Sequence, residues 1–371
     1  MSINTLIFTL IFTVLFTSCI KEPETNGANL IDDFERKDML ENLADNYIMP
    51  GYQNYVSKIN DLEQSVLAFE TSLTQSDYES ILLEYKKGLN AWQAISFLEF
   101  GPAENIILRG QSNVYPIDTT LVQSNITNGA YNLASAGNYS AKGWQSLDYL
   151  LYFQQNATAS TTFFANNPQA IEYLKSVVID LKNNAEYVNN SWSTYRTTFV
   201  NNNANNANGS AVSDMTNAVV AHYETFVRKG KVGLPVGAFN GFSQKPMPQN
   251  VEGLYQNAQL EYSNTVMTYF KRFLNGQSFD GTKDELGLLD YANFVGATVD
   301  GKEISIAVNA QVERILIAND NVIGAWSDMV QQNPPVSNDI YLEYQKLTPL
   351  IKVDLTSALG IIITYQDNDG D

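Results

Sequence analysis

Gln145 and Asp148 stand three residues apart in Gly143-Trp144-Gln145-Ser146-Leu147-Asp148-Tyr149-Leu150-Leu151. Read as a helix opening after a glycine, this spacing puts both side chains on one face, one turn apart. Helical bundles aim two ligands at one ion in this way. An amide oxygen beside a carboxylate suits a hard ion such as calcium better than zinc or iron, which favour imidazole or thiolate. The same pair can instead hydrogen-bond the backbone at neighbouring helix ends, and both readings stand on the sequence.

Other residues that could do chemistry are few. His222 is the one histidine, in the apolar stretch Val219-Val220-Ala221-His222-Tyr223-Glu224-Thr225-Phe226; it is either a ligand or a packed, hydrogen-bonded ring. Glu99 and Glu104 flank Gly101-Pro102, where a carboxylate either faces a cleft or caps an exposed helix end. A catalytic zinc site draws on about three protein ligands, largely His and carboxylates, plus an open position. With one histidine and no HExxH, the chain is short of them. Asp367-Asn368-Asp369-Gly370-Asp371 is similar to the opening of a calcium loop but lacks the closing bidentate glutamate. Phosphate loops, nucleophile elbows and dinucleotide fingerprints are absent from the sequence.

The elements that must position these residues read as helices. Leu40, Leu43 and Tyr47 lead to Pro50, which withholds a backbone donor and is expected to kink or divide the first helix. Ser76 and Glu79 fit a capping box for a second, with stripe Tyr78, Ile81, Tyr85, Leu89, Trp92 and Ile95, stopping at Gly101-Pro102. Residues 103–138 read as largely irregular. After Pro168 the positions Ile171, Leu174, Val178, Leu181, Ala185, Val188, Trp192, Tyr195 and Phe199 alternate in steps of three and four, the period of a packed bundle helix. Further helices are expected at 211–229, 251–274, 284–295, 305–331 and 339–361. Val232–Val236 and 361–365 read as extended connectors, the first within a Gly/Pro-rich connection over 230–248.

With 371 residues, 44% of them hydrophobic, the chain can bury two cores. The pattern predicts an all-α protein of two tandem helical bundles, 33–200 and 211–371, joined by the Asn-rich run 201–210. Residues 1–19 read as a signal peptide ending in the lipobox Leu15-Phe16-Thr17-Ser18-Cys19, although no Lys or Arg precedes the apolar run. Cys19 is the sole cysteine, so disulfides within the chain and thiolate clusters are excluded. Lipidation there would make Cys19 the contact with a lipid membrane and 20–32 a tether, locating the protein in the bacterial cell envelope, on the outer membrane. A net charge of −18 argues against nucleic acid as a partner.

The Gly143–Leu151 run resembles the GxHxxE signature of the imelysin-like family (peptidase family M75), which continues into Tyr-Leu-Leu as Tyr149, Leu150 and Leu151 do. Trp92-Gln93-Ala94-Ile95-Ser96-Phe97-Leu98-Glu99-Phe100-Gly101-Pro102 is similar to that family's Trp-containing helix. Pro50-Gly51-Tyr52, Lys231-Val232-Gly233-Leu234-Pro235 and the acidic C-terminal run, like that of Bacteroidetes members, extend the resemblance over most of the chain after Leu30. Gln145 stands at the motif's histidine and Asp148 at its glutamate.

The resemblance implies a cell-envelope protein of two helical bundles associated with iron acquisition, with a site between the bundles near the motif. Three functions follow as expectations. The first is a non-catalytic lipoprotein binding a ligand, with iron or another divalent metal as candidate cofactor, through Gln145, Asp148, Glu99 and His222. The second is an M75-type metallopeptidase, against which the missing imidazole argues. The third is a module docking on an outer-membrane iron-uptake receptor without metal.

Overall fold

The computed structural model describes residues 33–258 and 260–366. The expected signal segment with Cys19, the tether and Asp367–Asp371 lie outside the described residues.

The fold is all-α. It begins with α1 (Arg36–Asn42), runs through a π-helical stretch, Leu43–Ile48, and continues as α2 (Met49–Ser72). Pro50 has no N–H for the Asn46 carbonyl four residues back. That carbonyl instead accepts the Phe279 N–H at 2.8 Å. Around it, Asn42 Nδ2 donates to the carbonyls of Gly276 and Leu286, and the Tyr47 hydroxyl to those of Ala94 and Tyr269. The start of α2 is therefore stitched to residues far along the chain.

Helix α3 (Gln75–Gln93) is capped by Thr74, whose hydroxyl accepts the Asp77 N–H, rather than by Ser76. It ends before Gly101-Pro102. The segment expected to be irregular contains α4 (Leu108–Ser112) and α5 (Thr119–Asn128), the latter capped by Asp118. Next come α6 (Gly143–Tyr152), α7 (Ala157–Asn166) and the long α8 (Pro168–Asn201). On α8 the stripe from Ile171 to Phe199 is buried, with Tyr195 half-buried, and the helix packs along α2 and α6 while α2 packs on α3. The Asn-rich run after it is hydrogen-bonded: the Asn203 carbonyl accepts Arg36 Nε, and Asn206 Nδ2 donates to the Tyr291 hydroxyl and the Leu359 carbonyl.

Helix α9 (Ala211–His222) does not stop at residue 229. It continues as a π-helix, Tyr223–Gly233, into the short α10 (Leu234–Val236), so Val232–Val236 is helical rather than extended. The expected helix 251–274 begins only at α11 (Glu261–Leu274); residues 251–257 form a turn. Then follow α12 (Leu288–Phe294), α13 (Ile304–Asp320), α14 (Trp326–Gln332), α15 (Pro334–Pro349), a π stretch Leu350–Leu355 and α16 (Thr356–Ala358). The expected helix 305–331 is thus broken after Asp320, and the helix expected over 339–361 starts earlier, at Pro334, where proline is tolerated because a first-turn N–H has no intrahelical partner. Two two-residue strands, Thr298–Val299 and Lys302–Glu303, pair antiparallel. Helix α11 packs on both α13 and α3, and the described apolar core is continuous through both halves. Among the described residues no helix is long and apolar enough to cross a membrane.

Candidate functional site

Helix α6 starts at a position only glycine fills. Gly143 has φ +73°, and a Cβ on it would lie 2.2 Å from the Ser112 carbonyl oxygen. From there nearly every residue of α6 is buried, and Trp144 Nε1 donates to the Tyr55 hydroxyl at 3.0 Å.

Gln145 and Asp148 share a face, as their spacing predicts, and that face meets the 251–257 turn. Gln145 Oε1 accepts the Gly253 N–H at 2.9 Å. Asp148 accepts the Tyr255 N–H at 2.8 Å and the Gln256 N–H at 3.0 Å, one on each oxygen. Three N–H groups that a helix over 251–274 would have used or left open at its start are therefore claimed by α6 side chains. Gly253 takes φ +66° to present them, and this is why the expected helix begins late. Burial pushes the Asp148 carboxyl up to about 7, against the two backbone donors, which lower it; the Glu252 charge adds to the rise.

A second layer lies behind Gln145. Its Nε2 donates to Asn113 Oδ1 at 2.9 Å, and Asn113 Nδ2 donates to Glu252 Oε1 at 2.6 Å. Gln93 Nε2 donates to the same oxygen at 2.8 Å, and Lys231 Nζ pairs with Glu252 Oε2. Burial pulls the Lys231 ammonium down, while Glu252 works in the opposite direction. The sequence reading missed Lys231 as a partner, together with Glu252, Asn113 and Gln93. The available signal was a lysine inside the apolar run Lys231-Val232-Gly233-Leu234-Pro235. A cavity of about 180 Å³ adjoins the pair, lined by Tyr115, Ile117, Gln145, Asp148, Leu254 and Tyr255.

Glu99 and His222 lie in a different cluster. Both Glu99 oxygens accept the Arg109 backbone N–H, at 3.2 and 3.1 Å, and burial raises its carboxyl above the ordinary range. The Ser96 hydroxyl donates to the Gln93 carbonyl at 3.1 Å, so its oxygen accepts from His222 Nε2 at 3.2 Å. His222 stacks on Phe226, and burial, reinforced by the Arg109 and Lys231 charges, depresses its pKa well below the ordinary value. The ring is therefore neutral. Glu99 lines cavities other than the one beside Gln145 and Asp148.

A zinc or iron ion at Gln145 and Asp148 would find one carboxylate and one amide oxygen, each oxygen already accepting a backbone N–H, and no imidazole or thiolate beside them. No group of three or more His, Cys, Asp or Glu side chains among the described residues could hold a metal. This donor set does not fit a transition-metal centre.

The family model for imelysin (peptidase M75) matches residues 48–282, which include α6, the 251–257 turn and Lys231. The chain belongs to the imelysin family. Among the solved structures that share its fold are two imelysin-fold neighbours. An imelysin-like protein from Psychrobacter arcticum 273-4 has a TM-score of 0.66 at 14% identity, over 89% of this chain and 97% of that one. A protein named iron-regulated protein A precursor, from Parabacteroides distasonis ATCC 8503, has a TM-score of 0.69 at 15% identity, over 87% and 95%. No curated protein matches the chain.

Proposed function

We propose that this imelysin-family chain is a non-catalytic, ligand-binding protein of the cell envelope, held to the outer membrane by a lipid on Cys19 and serving iron uptake. One observation carries the non-catalytic part: Gln145 and Asp148 spend their oxygens on the backbone of Gly253, Tyr255 and Gln256. At the place where the family resemblance puts a histidine and a glutamate, the pair acts as a clamp on a turn. The link to iron is supported by the name of the Parabacteroides relative, and the envelope by the apolar run before Cys19. The organisation proposed with it remains two bundles, 33–200 and 211–371, on either side of the Asn-rich run.

Calorimetric titration of the purified protein with zinc and with iron against a competing chelator tests this, beside a casein-cleavage assay. Weak metal binding and no cleavage are expected. Tight binding abolished by Asp148→Ala, or chelator-sensitive proteolysis, would put the metallopeptidase reading in its place. Replacing Cys19 with Ala is expected to move the protein from the membrane to the soluble envelope fraction.

A further inference from the structure

We propose that Arg109 is the charge-recognising residue of a second binding site, one that takes a small organic monocarboxylate with an apolar body. The proposal does not rest on the reading of Gln145 and Asp148, which line another cavity.

Arg109 forms part of the wall of two adjoining cavities. One, of about 420 Å³, is walled by Ile107, Val114, Tyr115, Phe226 and Leu234 beside it. The other, of about 380 Å³, is polar and carries Glu104, Asp214, Asn217 and Thr364, with Glu99 common to both. The guanidinium lies over the Phe226 ring at 4.1 Å, and Nη2 donates to the Ser96 carbonyl at 3.2 Å. Stacking and that single bond fix its plane.

The rest of its hydrogen-bonding capacity is unspent. Nε is buried without a partner, and Nη1 donates to none of the described residues. Among the described residues no carboxylate hydrogen-bonds the guanidinium: Glu99 turns both oxygens to the Arg109 backbone N–H and acts on the charge through space alone. Three interior cations are handled differently: Lys231 pairs with Glu252, Lys142 with Asp180 and Arg228 with Glu224. Arg109 is half-buried, so water reaches its charge only in part, and an anion arriving from solution to hydrogen-bond the open edge of the guanidinium would be favoured. A planar fork beside an apolar wall matches a carboxylate on a hydrocarbon group.

The surroundings select the charge of the ligand. Glu104, Asp214 and Glu99 border the polar cavity, and the chain as a whole carries −18, so phosphates and polycarboxylates are repelled. One negative charge can be met by Arg109 while the hydrocarbon part fills the larger cavity.

The test uses the purified full chain and three probes in saturation-transfer NMR and calorimetry: 4-phenylbutyrate, 4-phenylbutanol and phenylsuccinate. Phenylbutyrate is expected to bind at least about tenfold more tightly than either of the others. Arg109→Met should erase that preference while phenylbutanol still binds, which shows that the cavity is intact. If Arg109→Met fails to fold, Leu234→Trp serves instead, and filling the cavity should abolish binding of all three at an unchanged melting temperature. Equal affinities for acid and alcohol, absence of phenylbutyrate binding, or an acid preference that survives Arg109→Met overturns the proposal.

Discussion

Lys231 and Glu252 meet as an ion pair with only 5% and 4% of their side chains exposed, and Glu252 is also the acceptor for Gln93 and Asn113. Such a pair adds little over a well-packed apolar pair but costs heavily when one partner is removed. Lys231→Met is expected to lower the unfolding free energy by about 3–5 kcal/mol, and Lys231→Met with Glu252→Gln to recover part of that loss. Guanidinium denaturation of the single and double variants measures both. A single variant as stable as the parent would mean that water reaches Glu252.

The opening of α6 makes a sharper demand. Gly143→Ala needs a side chain in the left-handed region and 2.2 Å from the Ser112 carbonyl oxygen. A loss of about 3 kcal/mol is expected from strain and overlap together. The melting temperature reports it, and a drop of a degree or less would show that α4 yields instead.

Asp148 sets an unusual pH dependence. Its folded pKa of about 7 lies above the ordinary 3.8, so the native state binds the proton more tightly than the unfolded chain does. The resulting stabilisation is complete below the unfolded pKa and is lost as pH rises through about 7. This is the opposite of a salt-bridged aspartate. Between those values the group contributes a slope of at most about 1.4 kcal/mol per pH unit, falling as pH rises. Asp148→Asn should flatten the stability profile by that amount relative to the parent. Parallel profiles from urea melts across this range would place Asp148 in contact with water.

Asn206 ties the Asn-rich run to two places in the second half, the Tyr291 hydroxyl and the Leu359 carbonyl, each at 2.8 Å. Asn206→Ala is expected to cost about 1–2 kcal/mol for two lost bonds, one of them to a buried hydroxyl. Limited proteolysis should then cut between Asn201 and Ser210 sooner than in the parent chain. Unchanged cleavage times would mean that the remaining bonds, Arg36 to the Asn203 carbonyl and Asn202 to the Gly209 carbonyl among them, hold the run in place.

Much of the helical frame was legible because it depends on local periodicity. The α8 stripe is buried as its spacing predicts, and the shared face of Gln145 and Asp148 follows from three-residue spacing on α6. What that face contacts was not legible. Val251, Leu254 and Ala258 carry helical spacing, yet the N–H groups of Gly253, Tyr255 and Gln256 are taken by side chains more than a hundred positions upstream. The pairing of Lys231 with Glu252 was hidden for the same reason, since neither residue type names its partner in one dimension. The π-helical continuation of α9 through Gly233 has no periodic signature, because a single extra residue per turn leaves the apolar pattern readable as a helix followed by a connector.

The proline at the head of α2 has a consequence in time as well as in space. Synthesis proceeds from the N-terminus, so the Asn46 carbonyl released by Pro50 must stay hydrated until Phe279 has left the ribosome to cover it. The first helix is thus finished by one of the later segments to be made. A nascent chain arrested before that point carries an open acceptor at the root of its earliest helix.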